Sequence, residues 1–123
     1  MSNNILSEED FARARAAMRE RDQGLSEVRT KILERFQGEG LHEAFILYSP
    51  ANVLFVAYLF YLCNDQIKKA DESGLASRIK QAVIEELGCV GRGNRDTIKI
   101  DFEFDSHENV EANFEGNYYN RLH

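Results

Sequence analysis

Six carboxylates stand between positions 101 and 115, at Asp101, Glu103, Asp105, Glu108, Glu111 and Glu115. Arg121 is the sole lysine or arginine from 101 onward, so this stretch carries −5 of the chain's net −6. Crowded carboxylates can hold a hard cation, trade protons with a positioned partner, or present a negative field that speeds the capture of a cationic surface. Spacing decides among these. Asp101, Glu103 and Asp105 alternate with Ile100, Phe102 and Phe104. On a strand, alternate residues lie roughly 6.5–7 Å apart, too far for three to converge on one ion. No glycine-turned EF-hand loop accompanies them, so no metal is expected. His107 sits between Ser106 and Glu108, but chain neighbours do not point at one another, and the tripeptide is not a triad. His42 adjoins a strand start, and His123 lies in the final tail. Cys63 and Cys89 show neither Cys-x-x-Cys nor zinc-ligand spacing. No cofactor is expected. Gly91-Arg92-Gly93-Asn94-Arg95 offers glycines and guanidinia to an anion, yet it leads into a strand rather than a helix N-terminus. What remains is a docking surface of Asp101, Glu103, Asp105, Glu108, Glu111 and Glu115, with Tyr118 and Tyr119 as candidate aromatic anchors.

The elements that must position these residues follow from periodicity. Ser7 reads as a helix N-cap, with Glu8, Glu9 and Asp10 in the first turn where the helix dipole favours acids. Phe11, Ala14 and Met18 repeat at helical spacing, and Gly24 ends that helix. Leu25, Val28, Ile32 and Phe36 stripe a second helix ending near Gly38 and Gly40. Ala44 to Tyr48 is a short apolar strand, and Ser49-Pro50-Ala51-Asn52 is a tight turn. Val53 to Cys63 is apolar on both faces and predicts a strand central in its sheet. Asn64 to Gly74 is polar and reads as a loop with at most a helical turn. Ser77 caps a third helix, with Ile79, Val83, Ile84 and Leu87 as its apolar face and Gly88 at its end. Ile98 to Asp105 alternates apolar with charged side chains. Val110, Ala112 and Phe114 alternate with Glu111, Asn113 and Glu115, so Ser106 to Asn109 reads as the loop of a hairpin, with Tyr118 to His123 as a tail. The expected fold is α+β: two helices, then β-β-α-β-β, with a mostly antiparallel sheet covered by helices on one face. Glu111 and Glu115 would then share the acidic face of β-strand neighbours Asp101, Glu103 and Asp105.

The 123 residues, 43% hydrophobic and 29% charged, fit one domain spanning 1–123. A net −6 argues against a nucleic-acid binder, which needs a basic footprint. The run Val53 to Cys63, 11 residues long, is too short for a membrane helix. Met1 to Asp10 is polar and acidic, unlike a signal peptide, so a cytoplasmic location is expected.

The stretch Glu43 to Pro50, the aromatic strand Leu54 to Leu62, a helix, and then Thr97 to Ser106 together resemble the YezG-like family of small bacterial immunity proteins. The resemblance runs over residues 42 to 119 and rests on the order and texture of the elements, including an acidic, aromatic strand pair around Asp105-Ser106. The turn Ser106-His107-Glu108-Asn109 and the Gly-Arg-Gly loop depart from that pattern. The resemblance implies a non-catalytic protein that neutralises a cognate toxin, often a nuclease, by binding it. Two other readings stay open. One is a small ligand-binding domain or enzyme with a site between sheet and helices, using His107, Arg92 and Arg95. The other is a structural or regulatory homo-oligomer, in the simplest case a homodimer.

Overall fold

The computed structural model describes residues 7–123; Met1 to Leu6, read above as part of a polar start, lie outside the described residues. Helix α1 spans Glu8–Asp22 and opens on a capping box in which Ser7 Oγ accepts from Asp10 N at 3.1 Å and Asp10 Oδ2 accepts from Ser7 N at 3.3 Å. Gly24 then turns the chain at φ +76°, and a Cβ there would stand 2.6 Å from Val90, so both conformation and space require glycine. Helix α2, Leu25–Phe36, buries Leu25, Val28, Ile32 and Phe36, the predicted stripe. A 3₁₀ turn, Gln37–Glu39, leads into strand β1, Leu41–Ser49. A turn connects it to β2, Leu54–Tyr61, and helices α3 (Asp65–Ser73) and α4 (Leu75–Cys89) follow. Strand β3 is Ile100–Ser106, and the chain closes on α5 (His107–Phe114) and α6 (Tyr118–Leu122).

The sheet is three-stranded in the order β1-β2-β3, with β2 antiparallel to β1 and parallel to β3. β2 is central, as its two apolar faces predict. Ala44, Ile46, Phe55, Ala57, Leu59 and Tyr61 face α2 and α4 and form the core with Val28, Ile32, Phe36, Ile79, Val83 and Leu87. Ile100, Phe102 and Phe104 pack against the same core from β3. No helix among the described residues is long and apolar enough to cross a membrane.

The α+β class holds, but several features differ from the sequence expectation; α4 starts behind Gly74, so Ser77 lies inside it rather than capping it, and the expected tail contains helix α6. Asn64 to Gly74 is mostly helix α3, whose inward face is only Ile67, packed against the core, and buried Ala70, two apolar residues at i,i+3 within a charged segment. With α3 and α4 between them, β2 and β3 are joined by a helical crossover, which makes them parallel rather than antiparallel. The second arm of the expected hairpin is helix α5, so the sheet has three strands, not four. Ser106 caps α5 by accepting from Asn109 N at 3.0 Å, and Val110 and Phe114, read as alternating, are an i,i+4 pair on that helix. Last, helices cover part of both sheet faces, because α6 returns to the side opposite α2 and α4.

The face assignment of β3 is testable. Phe102→Asp, placing a charge against the core, is expected to cost about 2–3 kcal/mol. Glu103→Lys, on the exposed side, should stay within about 1 kcal/mol. Equal losses in chemical denaturation would mean that the strand presents its other face to the core.

Candidate interaction surface

Strand register arranges the second sheet face in rows. One row is Glu43, Phe60 and Asp105; the next is Phe45, Tyr58 and Glu103; the third is Leu47, Val56 and Asp101. In the second and third rows the apolar side chains come from β1 and β2 and the acidic ones from β3; in the first row β1 contributes an acid, Glu43. The first row is covered. Tyr118 of α6 packs its ring 4.9 Å from Phe60 and 5.5 Å from Phe45, and Phe60 is fully buried. Arg121 reaches over the rings of Tyr58 and Phe60, 5.9 Å from each centroid, to bond Asp105 Oδ2 at 2.6 Å. Its second nitrogen lies 3.8 Å from Glu103. The third row is open. Leu47 is 42% exposed, Val56 is partly exposed and Asp101 is exposed. Beyond it, in the β1–β2 turn, Val53 takes φ +51° and is 61% exposed. A β-branched residue at positive φ is strained, so this apolar tip is held outward at a conformational cost.

Burial alone would raise the pKa of Asp105. Arg121, the Ser106 backbone N–H at 2.8 Å and Asn109 at 2.9 Å outweigh it, and the carboxyl is held below its ordinary value. The same junction is stitched to the end of β2. Glu108 accepts from Asn64 N at 2.9 Å, Glu108 N donates to Leu62 O at 3.0 Å, and the Ser106 hydroxyl donates to Asn64 Oδ1.

The eight residues expected to form one docking face therefore divide. Asp101 and Glu103 are exposed on the open sheet face. Asp105 is consumed by the Arg121 pair and Glu108 by the Asn64 amide. Glu111 and Glu115 lie on and just after α5, not on a strand beside Glu103; Glu111 Oε1 is 3.1 Å from His107 Nε2. Tyr118 is packed against the sheet, and burial, then Glu43, Glu111 and Asp105, push its phenol up to about 12. Tyr119 is 70% exposed, with its ring tilted against that of His123 at 4.4 Å. The face gains members that the charge pattern did not single out: Leu47, Val56 and Tyr58, which the register alone sets beside the acids.

Two of the three residues named for the catalytic and anion-binding alternatives are engaged within the fold, whereas Arg95 is exposed and lines a shallow groove with Gly93 and Asn94. His107 bridges Glu111 and the Tyr118 hydroxyl, 2.7 Å from Nδ1, and its ring lies 4.5 Å from that of His42. This carboxylate–imidazole–phenol chain ends in a phenol that is hard to ionise, packed against the sheet. Arg92 does not face an anion. It donates to the carbonyls of Glu20, Arg21 and Gln23 at 2.9–3.1 Å, satisfying the orphan acceptors at the end of α1, and lies over the rings of Tyr48 and Phe55. A groove of about 450 Å³ does exist between α3, α4 and β3, lined by Ile67, Lys68, Asp71, Ala76, Lys80 and Phe104, but it holds none of His107, Arg92 or Arg95. No group of three His, Cys, Asp or Glu side chains among the described residues is placed to hold a metal ion. Cys63 and Cys89 are free thiols.

No protein-family model matches the chain, and no curated protein or solved structure is significantly similar to it.

Proposed function

We propose that this protein is a non-catalytic cytoplasmic binding protein, of the bacterial immunity type, that captures a basic protein partner on the open sheet face. The partner class that fits is a nuclease-type toxin, since a nuclease must keep a basic surface to hold nucleic acid. One observation carries the reading: Asp101 and Glu103 stand in register beside exposed Leu47 and the partly exposed Val56 and Tyr58. An apolar centre with a charged margin is the anatomy of a protein interface rather than of a solvated sheet. Charge there acts mostly on the rate of encounter, and apolar contact on the lifetime of the complex.

The test is capture from the native host followed by kinetics on the purified pair. Asp101→Lys with Glu103→Lys should lower the on-rate about tenfold or more, and the wild-type on-rate should fall steeply as salt rises. Leu47→Ala should instead raise the off-rate. A partner that is acidic, or one whose capture is indifferent to salt and to the double reversal, would remove the acidic face from function.

A further inference from the structure

Helix α1 has 15 residues and none of them is buried. A helix of that length is marginal in water by itself. It is held by the Ser7–Asp10 capping box, by the Arg92 clamp on its last carbonyls and by the approach of its last turn to β1, but no side chain along its flank is buried. That flank is not uniform. At 3.6 residues per turn, Phe11, Arg15 and Met18 fall on one line, with Ala14, Arg19, Glu8 of the first turn and the Arg21-paired Asp22 of the last turn on the same side. Phe11 is 46% exposed and Met18 54%. Arg13 is paired with Asp10 and Arg21 with Asp22, whereas Arg15 and Arg19 take part in no ion pair among the described residues. An exposed aromatic, a methionine and two unpaired guanidinia are the residue types enriched where proteins meet.

The surface that complements this helix is on the same chain. The open sheet face offers apolar Leu47, Val56 and Tyr58 against Phe11 and Met18, and Asp101 and Glu103 against Arg15 and Arg19. We infer that α1 docks on the open sheet face of a second copy of this chain, and that the second copy's α1 docks reciprocally on the first. Such a contact is isologous and closes as a two-fold dimer. Two four-turn helices, each about 22 Å long and 10 Å across, laid on two sheet faces bring roughly 900 Å² of surface together, the size of a weak, reversible interface. The dimer holds the acidic face when no basic partner is present, and such a partner competes with α1 for it.

The experiment is the solution mass of the purified full-length chain by light scattering and sedimentation, with circular dichroism to confirm folding of each variant. At about 100 µM and low salt the wild type should have twice the monomer mass, and at about 0.5 M salt it should shift toward monomer. Arg15→Glu with Arg19→Glu should be monomeric, and so should Asp101→Lys with Glu103→Lys. An equimolar mixture of these two variants should recover the dimer, because each acidic α1 then meets a basic face and each basic α1 an acidic one. A wild type that is monomeric throughout overturns the inference, as does a dimer untouched by both reversals or a mixture that stays monomeric. Capture of the basic partner is read separately, with the Arg15→Glu, Arg19→Glu variant, whose sheet face is intact. Capture retained in a monomeric variant separates the two surfaces' roles, and capture lost while the wild type still dimerises fails the functional proposal alone.

Discussion

Arg121→Ala is expected to lower stability by about 3 kcal/mol, seen as a fall of roughly 10 °C in melting temperature. The side chains of Arg121 and Asp105 are only 19% and 13% exposed and meet at 2.6 Å. Removing the guanidinium leaves a largely buried carboxylate with the Ser106 N–H and Asn109 as its remaining hydrogen-bond donors. It also strips a planar cation from above Tyr58, Phe60 and Phe114. Arg121→Lys keeps the charge but not the planar fork and should recover less than half of the loss. A surface ion pair such as Lys69–Asp65 is the control: Lys69→Ala should change stability by no more than about 0.5 kcal/mol. A matching loss at Lys69, or none at Arg121, would mean that the C-terminal helices do not depend on this pair.

The pair also fixes a pH dependence. The carboxyl of Asp105 is held below its ordinary value of 3.8. Its contribution is therefore complete above that ordinary value and is lost as pH falls through the lower, folded value. The stability gap between wild type and Asp105→Asn should be constant from neutral pH down to about pH 5 and should narrow progressively below 4. A gap that already closes between pH 6 and 7 would overturn the assignment to Asp105.

How much of this was legible in the sequence depends on where the stabilising partner of each segment lies. Ser7, the stripe from Leu25 to Phe36 and the apolar β2 were readable because their signals are local: a cap three residues from its target, and a period matched to one buried face. The alternation of Ile100, Phe102 and Phe104 was readable for the same reason. Val110 to Phe114 misled, since a five-residue stretch with apolar residues at 1, 3 and 5 also places 1 and 5 on one side of a helix. The deciding information was the run of Glu, Asn and Ala, poor strand formers, behind a serine able to cap. Helix α3 was hidden because it lies on the surface and its charges pair within the helix, Lys69 with Asp65 and Lys68 with Glu72. The candidate face was half legible. Its acids are adjacent in sequence, but Leu47 and Val56 reach Asp101 only through strand register across three strands. Arg121 could not have been assigned to Asp105 from spacing, as the contact needs α5 and α6 to turn the chain back over the sheet.

That return makes Phe60 the sharpest test of the architecture. Phe60→Ala is expected to cost about 4 kcal/mol, because a fully buried aromatic leaves a cavity that its neighbours cannot fill. Those neighbours are Phe45 at 6.0 Å, Tyr118 at 4.9 Å and the Arg121 guanidinium, all on the sheet face away from α2 and α4. Tyr58 lies two residues earlier on the same strand and face but is partly exposed, so Tyr58→Ala should cost only about 1–1.5 kcal/mol. A strand buried evenly on both faces, as read from sequence, would make both changes costly. The measurement is chemical denaturation of the two single variants, of Tyr118→Ala, and of the Phe60→Ala, Tyr118→Ala double variant. Tyr118→Ala and Phe60→Ala should be non-additive by about 1 kcal/mol or more, since each removes the other's packing partner. Leu47→Ala, in the open row, should be additive with both. Equal costs at 58 and 60, or strict additivity of 60 with 118, would mean that α6 does not close this end of the sheet, and the boundary between its covered and open halves would have to be redrawn.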